Sequence, residues 1–408
     1  MKKEANQNVK RFGIKIGIVA FISILLLIPL SMVRGLIYER QATKDEVTEE
    51  IARSVAGSQS VGGPKLYFDV VKKEGTDSTK VQTEEFSLWS YKLDYKADIK
   101  TEVLHRSIYD VIVYNSTIDI SGYFLATKKL LSASRSRLEV KVQDMKGLTT
   151  TPQIELYGKK HEFHASRGYL QTDMELPKNL KEGDSIHFRM TMNLKGTEQL
   201  MFHPYSHETS LTITSSYLHP SFQGEFLPET REVSDKGFKA TWKVLDININ
   251  DILRDTIGVR FIDPANPYQQ ATRSAKYGLL IIVLVFVAGL FVEYLTKKDI
   301  TFIQYAIIGL SLVLFYSLLL SFSEFMVFGL AYSIAAVMTV LALMLYFRGV
   351  FKSRNAYILG GYVALVYIVN YLLLQMETYA LLTGSLVLFV LLSAVMYLTT
   401  NLNEVDSK

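Results

Sequence analysis

Residues 277–295 read YGLLIIVLVFVAGLFVEYL, a run whose one charged side chain, Glu293, stands near its end. Its length is close to the roughly 20 residues with which an α-helix crosses a hydrocarbon core. A surface helix of a soluble domain would carry a polar stripe, and this run has none. It reads as a membrane span. Similar runs follow at 302–322, 325–347, 357–374 and 379–398, so a C-terminal bundle of about five spanning helices is expected over 277–400, with a short tail at 401–408. A sixth run, 12–33, lies behind Lys2, Lys3, Lys10 and Arg11 and is broken only by Lys15, Pro29 and small polar residues. It is too long for the core of a cleaved signal peptide and leaves through Ser31-Met32-Val33-Arg34-Gly35 rather than a small-x-small site. Residues 1–33 are therefore expected to be a cytoplasmic tail and an uncleaved first span.

The stretch between, 34–276, has the charge density of a soluble domain, and the loop charges say where it goes. Lys297-Lys298 and the segment of Arg348, Lys352 and Arg354 are basic, whereas Ser323-Glu324 and Gln375-Met376-Glu377-Thr378 carry no positive charge. Every basic loop falls on the side of the N-terminus when six spans are drawn, which satisfies the positive-inside rule. Both termini are then cytoplasmic and 34–276 is exported. Tyr294, Tyr346 and Tyr357 near span ends suit the interfacial aromatic belt.

Composition excludes several classes of function. The 408 residues are 49% hydrophobic with a net charge of only +4, and the cations are scattered rather than gathered in a stripe among aromatics, so nucleic acid is not an expected partner. The chain has no cysteine, which removes disulfides, thiolate ligands and thiol nucleophiles together. Membrane lipids are the partners that the spans imply.

Within 34–276, Val47, Ile51 and Val55 recur at helical spacing over 37–55, and Thr43 with Glu46 has the spacing of a capping box, so a helix near the membrane surface is expected there. After Gly62-Gly63-Pro64 the pattern turns to alternation at 65–70, 109–114, 117–125, 137–142, 186–193, 209–215, 238–244 and 257–262. Short strands with Gly, Pro, Asn and Asp turns point to an antiparallel, sandwich-like domain. The fold class is that of an α + β membrane protein: an N-terminal spanning helix, an extracytoplasmic β-rich domain and the C-terminal helices.

Ionisable residues inside spans are functional candidates by default, because hydrocarbon tolerates them only when they are paired or used. Glu293 lies near one span end, and Asn370 and Gln375 near another, where interfacial or packing roles suffice. Glu324, Glu377 and Tyr316 fall near the outer face and form one candidate cluster. His161, His164, His203, His207 and His219 raise the question of a metal site, but i and i+3 point to opposite faces of a strand and the hairpin expected at Tyr157-Gly158-Lys159 leaves His161 and His164 at the surface. No Gly-x-Ser-x-Gly elbow, Ser-x-x-Lys set or phosphate-binding glycine loop is present, so no catalytic residue, metal or cofactor is expected. The run 219–228, with Pro220, Gly224 and Pro228, predicts an irregular loop in which Phe222 and Phe226 either pack on a sheet or are offered to lipid or a protein partner.

Several ordered strings carry a resemblance. They are Arg34-Gly35-Leu36-Ile37 with Glu39-Arg40-Gln41, Gly63-Pro64, His219-Pro220-Ser221-Phe222 with Gly224 and Phe226-Leu227-Pro228, and Gly237-Phe238 with Ala240-Thr241-Trp242. Then come Asp263-Pro264, Tyr268, Arg273, Lys276-Tyr277, Gln304-Tyr305, Phe315-Tyr316, Leu318-Leu319-Leu320, Ser323-Glu324, Tyr379-Ala380-Leu381-Leu382 and Gly384-Ser385. With these marks the chain resembles the CreD family of bacterial inner-membrane, cell-envelope integrity proteins from the first span nearly to the end. It departs at Phe325, Thr378 and Thr400, where that family often has histidine, aspartate and a basic residue. The resemblance implies an inner-membrane protein with a periplasmic domain, tied to a two-component stress response and to tolerance of envelope-targeting agents, with no established enzymatic activity; envelope proteins are the partners expected. Two rival readings stand beside it: a transporter or lipid-handling protein built on the C-terminal helices, and a metal-dependent envelope enzyme in the exported domain.

Overall fold

The computed structural model describes residues 2–73, 81–249, 255–262, 266–296, 299–351 and 355–375, with Ser385, Phe389 and Ser393 beyond them. The chain divides into two compact units, one made of Met1–Thr43 with Ala265–Lys408 and the other of Lys44–Pro264.

The first unit is helical: α1 (Lys2–Leu25), α2 (Leu27–Ser54, of which residues to Thr43 belong here), α3 (Pro267–Lys276), α4 (Gly278–Thr296), α5 (Phe302–Ser323), α6 (Phe328–Phe351) and α7 (Asn355–Gln375). The break between α1 and α2 at Leu26 has a local cause. Pro29 has no N–H to give to the carbonyl of Leu25, and its ring crowds that carbonyl, while the bonds from Leu26 N to Ile22 O and from Leu30 N to Leu26 O persist on either side. The buried faces of α5 (Tyr305, Ile308, Leu312, Phe315, Leu319) and α6 (Phe328, Ala331, Ala335, Thr339, Leu343, Phe347) repeat at three and four residues. Their other faces, including Leu310, Leu314, Val337 and Leu341, are exposed and equally apolar. A helix apolar on both its packed and its free face belongs in lipid.

α1 with α2, α5, α6 and α7 are long and apolar enough to span, and α3 with α4 forms a pair bent by 43°. The expected spans 277–295, 302–322, 325–347 and 357–374 are thus found as α4 to α7, while 379–398 lies outside the described residues. α3, for which the alternation rules give no sign, starts on an Asn266 cap that accepts from Tyr268 N, with Pro267 as its first residue.

The capping-box pattern at Thr43 and Glu46 does not start a helix. α2 runs through it unbroken, and the Thr43 hydroxyl donates to the Glu39 carbonyl as an interior helical residue does. A helix already propagating from Leu27 needs no new nucleus, so the local signal is overridden.

The second unit is β-rich. Its largest sheet has eight strands in the order Thr230–Ser234, Gly237–Leu245, Ser206–Ser215, Ser90–Arg106, Tyr109–Leu125, Ser185–Thr197, Gln153–Leu156 and Lys159–Glu162. A five-stranded sheet (Val81–Leu88, Lys65–Lys73, Ala133–Val140, Tyr169–Met174, His164–Ser166) and a four-stranded one (Gln59–Gly62, Gln199–His203, Ile257–Phe261, Pro220–Gly224) share one core with it. Tyr95 packs on Phe202 and Tyr114 on Phe261, and these phenols donate to the carbonyls of His203 and Gln199. The sandwich-like layering is as expected.

Three details differ from expectation. The sheets are not wholly antiparallel: Ser206–Ser215 pairs parallel with Ser90–Arg106, and Gln59–Gly62 parallel with Gln199–His203. The segments 109–114 and 117–125 are one strand of 17 residues, because Ser116 is buried and spends its hydroxyl on the Leu194 carbonyl instead of making a turn. Finally, Pro220–Gly224 is no loop but the edge strand of the four-stranded sheet, where a proline as first residue costs no ladder bond. The expected hairpin at Tyr157-Gly158 is present, with φ of 50° and 74° joining Gln153–Leu156 to Lys159–Glu162. Val47, Ile51 and Val55 pack on Val111, Val113 and Leu104.

Candidate functional site

The helical unit buries polar and charged groups at two levels. At the start of α5 the Lys15 ammonium pairs with the Glu293 carboxylate and donates to Asp299 Oδ1 at 2.7 Å. The Tyr305 hydroxyl donates to Glu293 Oε2 at 3.2 Å. The Glu293 side chain is 7% exposed and that of Asp299 92%, so Lys15 links a buried carboxylate to one in solvent. Glu293, for which packing alone would suffice, is therefore the centre of a paired charge cluster. The signal in the sequence was one cation near the start of the first span and one anion near the end of the second.

At the other end of α5, roughly 28 Å away by helical rise, Glu324 accepts from the Tyr268 hydroxyl at 3.4 Å and faces Arg40 Nε at 3.6 Å. Tyr316 lies two turns back, about 12 Å along the same helix, and does not share this level. Glu377, the third member of the expected cluster, lies outside the described residues.

Tyr316 instead joins a polar interior that the sequence did not reveal. A Cβ on Gly278 would stand 3.3 Å from the Tyr316 ring. One residue turn away, Arg34 donates to the Ala275 carbonyl at 2.8 Å and acts electrostatically on the Tyr316 hydroxyl. Phe315 meets the Tyr332 ring edge-on at 5.3 Å and the tilted Tyr367 ring at 4.4 Å. Tyr332 accepts from Asn370 Nδ2 at 2.9 Å and donates to the Tyr367 carbonyl at 2.8 Å. α2, α3, α4, α5, α6 and α7 all contribute. No linear pattern marks these residues, since tyrosines at helical spacing look like core.

In the β unit, Phe222 is half-buried and meets Trp242 and Phe238 edge-on, both at 5.7 Å, and the Phe226 carbonyl accepts from Trp242 Nε1 at 3.0 Å. The Phe222 and Phe226 side chains are both partly buried against the core of the β unit. His161 and His164 fall in different sheets, as do His203 and His207, and among the described residues no three His, Asp or Glu side chains converge as a metal would require. Ser60 Oγ lies 2.8 Å from His203 Nε2, both buried, and burial with the Lys141 charge pushes the His203 pKa down to about 4. A neutral buried imidazole beside a buried hydroxyl is a structural pair. An open cleft of about 380 Å³ on the large sheet is bordered by Asp98, Lys100, Asn115, Thr117, Asn193 and Lys195.

A family model described as inner membrane protein CreD matches residues 11–404. The chain belongs to the CreD family. Inner membrane protein CreD of Escherichia coli (strain K12) is 29% identical over 414 residues, covering 93% of this chain and 91% of the relative. The match extends over both units, so this CreD family member is a multi-pass inner-membrane protein. Among solved structures, an M1 zinc metallopeptidase mutant from Deinococcus radiodurans bound to a Tyr-Ser-Ala substrate is similar at a TM-score of 0.25 and 9% identity, over 47% of this chain and 53% of its own. A two-domain M1 zinc metallopeptidase mutant bound to L-arginine gives 0.24 and 9%, over 42% of each chain. The chain spans about half the length of these peptidases or less, and likeness at this level carries no argument about the CreD family chain.

Proposed function

We propose that the chain is a non-enzymatic cell-envelope integrity protein of the bacterial inner membrane, acting in the response to envelope stress, with both termini cytoplasmic and the β unit periplasmic. The distribution of loop cations supports the orientation. The observation that carries the functional reading is the polar interior of the helical unit. A passive anchor needs no buried Lys15–Glu293 pair and no buried tyrosine and arginine groups, each of which is expensive in hydrocarbon. The first span is bonded into the bundle through Lys15, Arg34 and Arg40, so the helices work as one body with it. The β unit meets envelope proteins, and the bundle meets membrane lipids.

The test has two parts. A reporter inserted near residue 150 should be active in the periplasm, and cytoplasmic activity would remove the topology. In a strain lacking the chain, wild-type protein should restore resistance to envelope-targeting agents, whereas a form whose residues 1–33 are replaced by an unrelated spanning helix should not. Full restoration by that form would reduce the bundle to an anchor.

A further inference from the structure

The hydroxyls of Tyr316, Tyr367 and Ser274 and the Nε of Arg34 are buried and find no hydrogen-bond partner among the described residues, and neither does Asn370 Oδ1. Tyr316, Tyr367, Asn370 and Ser274 are each at least nine-tenths buried. Unpaired donors in a hydrocarbon-embedded bundle are among the costliest features a fold can keep, so a partner for them is expected. They are also neighbours. Arg34 holds the Ala275 carbonyl in the last turn of α3, next in the chain to Ser274. Tyr316 packs beside Gly278 just beyond that turn, and Phe315 links it to Tyr367.

The chemistry of the set is specific. Four of the five free atoms are donors, one of them on a guanidinium that cannot lose its charge. Glu324, the nearest carboxylate described on α5, already faces Arg40 and Tyr268. A cation has no anionic partner in this set, and a neutral ligand leaves the guanidinium charge unmatched. An oxyanion suits it, since its oxygens accept from several converging donors at once. Asn370 Oδ1, the one atom of the set that can only accept, can take a hydroxyl or ammonium on the far side of an ester. We propose that Arg34, Ser274, Tyr316 and Tyr367 bind the phosphate of a phosphoester inside the helical bundle, carried by a lipid headgroup or present as a free anion. The Arg34 side chain is only partly buried and marks the side by which the phosphate enters. The site uses the same buried groups on which the envelope reading rests, but it stands or falls by direct binding.

Full-length protein is reconstituted in vesicles of phosphatidylcholine with phosphatidylglycerol, re-extracted in detergent, washed, and analysed by native mass spectrometry. A parallel sample in detergent alone is titrated with inorganic phosphate while thermal unfolding is followed. Retention of phospholipid by wild type, reduced about tenfold in Tyr316→Phe with Tyr367→Phe and in Arg34→Gln, establishes the lipid form of the site. Phosphate-dependent stabilisation without lipid retention, lost in the same variants, establishes the free-anion form. If wild type retains no lipid and phosphate does not raise its stability, internal water alone pairs these groups and the proposal is overturned. Equal retention by wild type and the Tyr→Phe variant overturns it as well. Because the Tyr→Phe changes remove only hydroxyl groups, and the wild-type result alone can refute the site, misfolding of Arg34→Gln does not protect it.

Discussion

Replacing Lys15 with methionine should be far more damaging than replacing its buried partner Glu293 with glutamine, although both changes break the same ion pair. Without Lys15, the Glu293 carboxylate keeps a side chain 7% exposed and one neutral donor, Tyr305 at 3.2 Å. Removing one member of a buried pair costs about 3–5 kcal/mol, and since Lys15 is itself 24% exposed the lower figure, about 3 kcal/mol, applies. Glu293→Gln still accepts from Tyr305 and leaves Lys15 bonded at 2.7 Å to Asp299, which is 92% exposed, so its cost is about 1 kcal/mol. The difference of about 2 kcal/mol is roughly thirtyfold in the unfolding equilibrium. The double change Lys15→Met with Glu293→Leu removes both charges and should recover to within about 1 kcal/mol of wild type. Denaturant unfolding of full-length protein in detergent, followed by helical circular dichroism, measures all four. Equal losses for the two single changes, or no recovery in the double, would refute the account of Lys15 as the counter-ion of a buried carboxylate.

Three further outcomes follow from the packing and from one titration. Gly309→Leu should destabilise the helical unit by about 1–3 kcal/mol, because a side chain there meets Leu26 and the Phe286 ring, whereas Gly349→Leu, with open space around it, should change stability by less than about 0.5 kcal/mol in the same assay. His203 titrates near 6.5 when unfolded and at about 4 when folded. The unfolded chain thus binds the extra proton between these values, and stability should be full above pH 6.5 and fall by up to about 3 kcal/mol as pH drops through 4. Both tryptophans, Trp89 and Trp242, lie in the β unit, so their fluorescence in pH-dependent unfolding reads this change, and His203→Gln should flatten it. Phe222→Ala should cost about 2 kcal/mol by the same fluorescence, less than a fully buried phenylalanine, since the ring is half-buried against Trp242 and Phe238.

What the sequence revealed and what it hid divide along a physical line. Hydrocarbon imposes one requirement per segment, so the spans matching α4 to α7 could be read from composition alone. The Tyr157-Gly158 hairpin was equally legible, because its turn chemistry is local. Pairings between distant segments left no such trace. The strand Ser90–Arg106 and its parallel partner Ser206–Ser215 gave no sign of each other, and Thr43 with Glu46 made a correct local pattern that a longer helix overruled. Of the candidate cluster, Tyr316 stands about 12 Å from Glu324, and neither Arg40 with Tyr268 nor Arg34 is assignable from sequence, because a span's sequence places a residue only coarsely in depth and does not say which helix it faces. Phe222 and Phe226 are ambiguous for a related reason: sequence does not show that Trp242 meets the Phe222 ring and holds the Phe226 carbonyl.

The Lys15 contact also has a consequence in time. The ammonium enters the bilayer with the first span, while Asp299 is encoded 284 residues later and Glu293 only slightly before it. At roughly 5–20 residues per second, a ribosome takes about 14–57 s to deliver them. During that interval the first helix holds an uncompensated cation near a headgroup layer, tethered but not yet docked, and it must stay where the late helices can find it. Biogenesis of this protein is therefore a race between completion of the chain and loss of its own first segment to quality control, and truncated products should be short-lived even when their first span is correctly inserted.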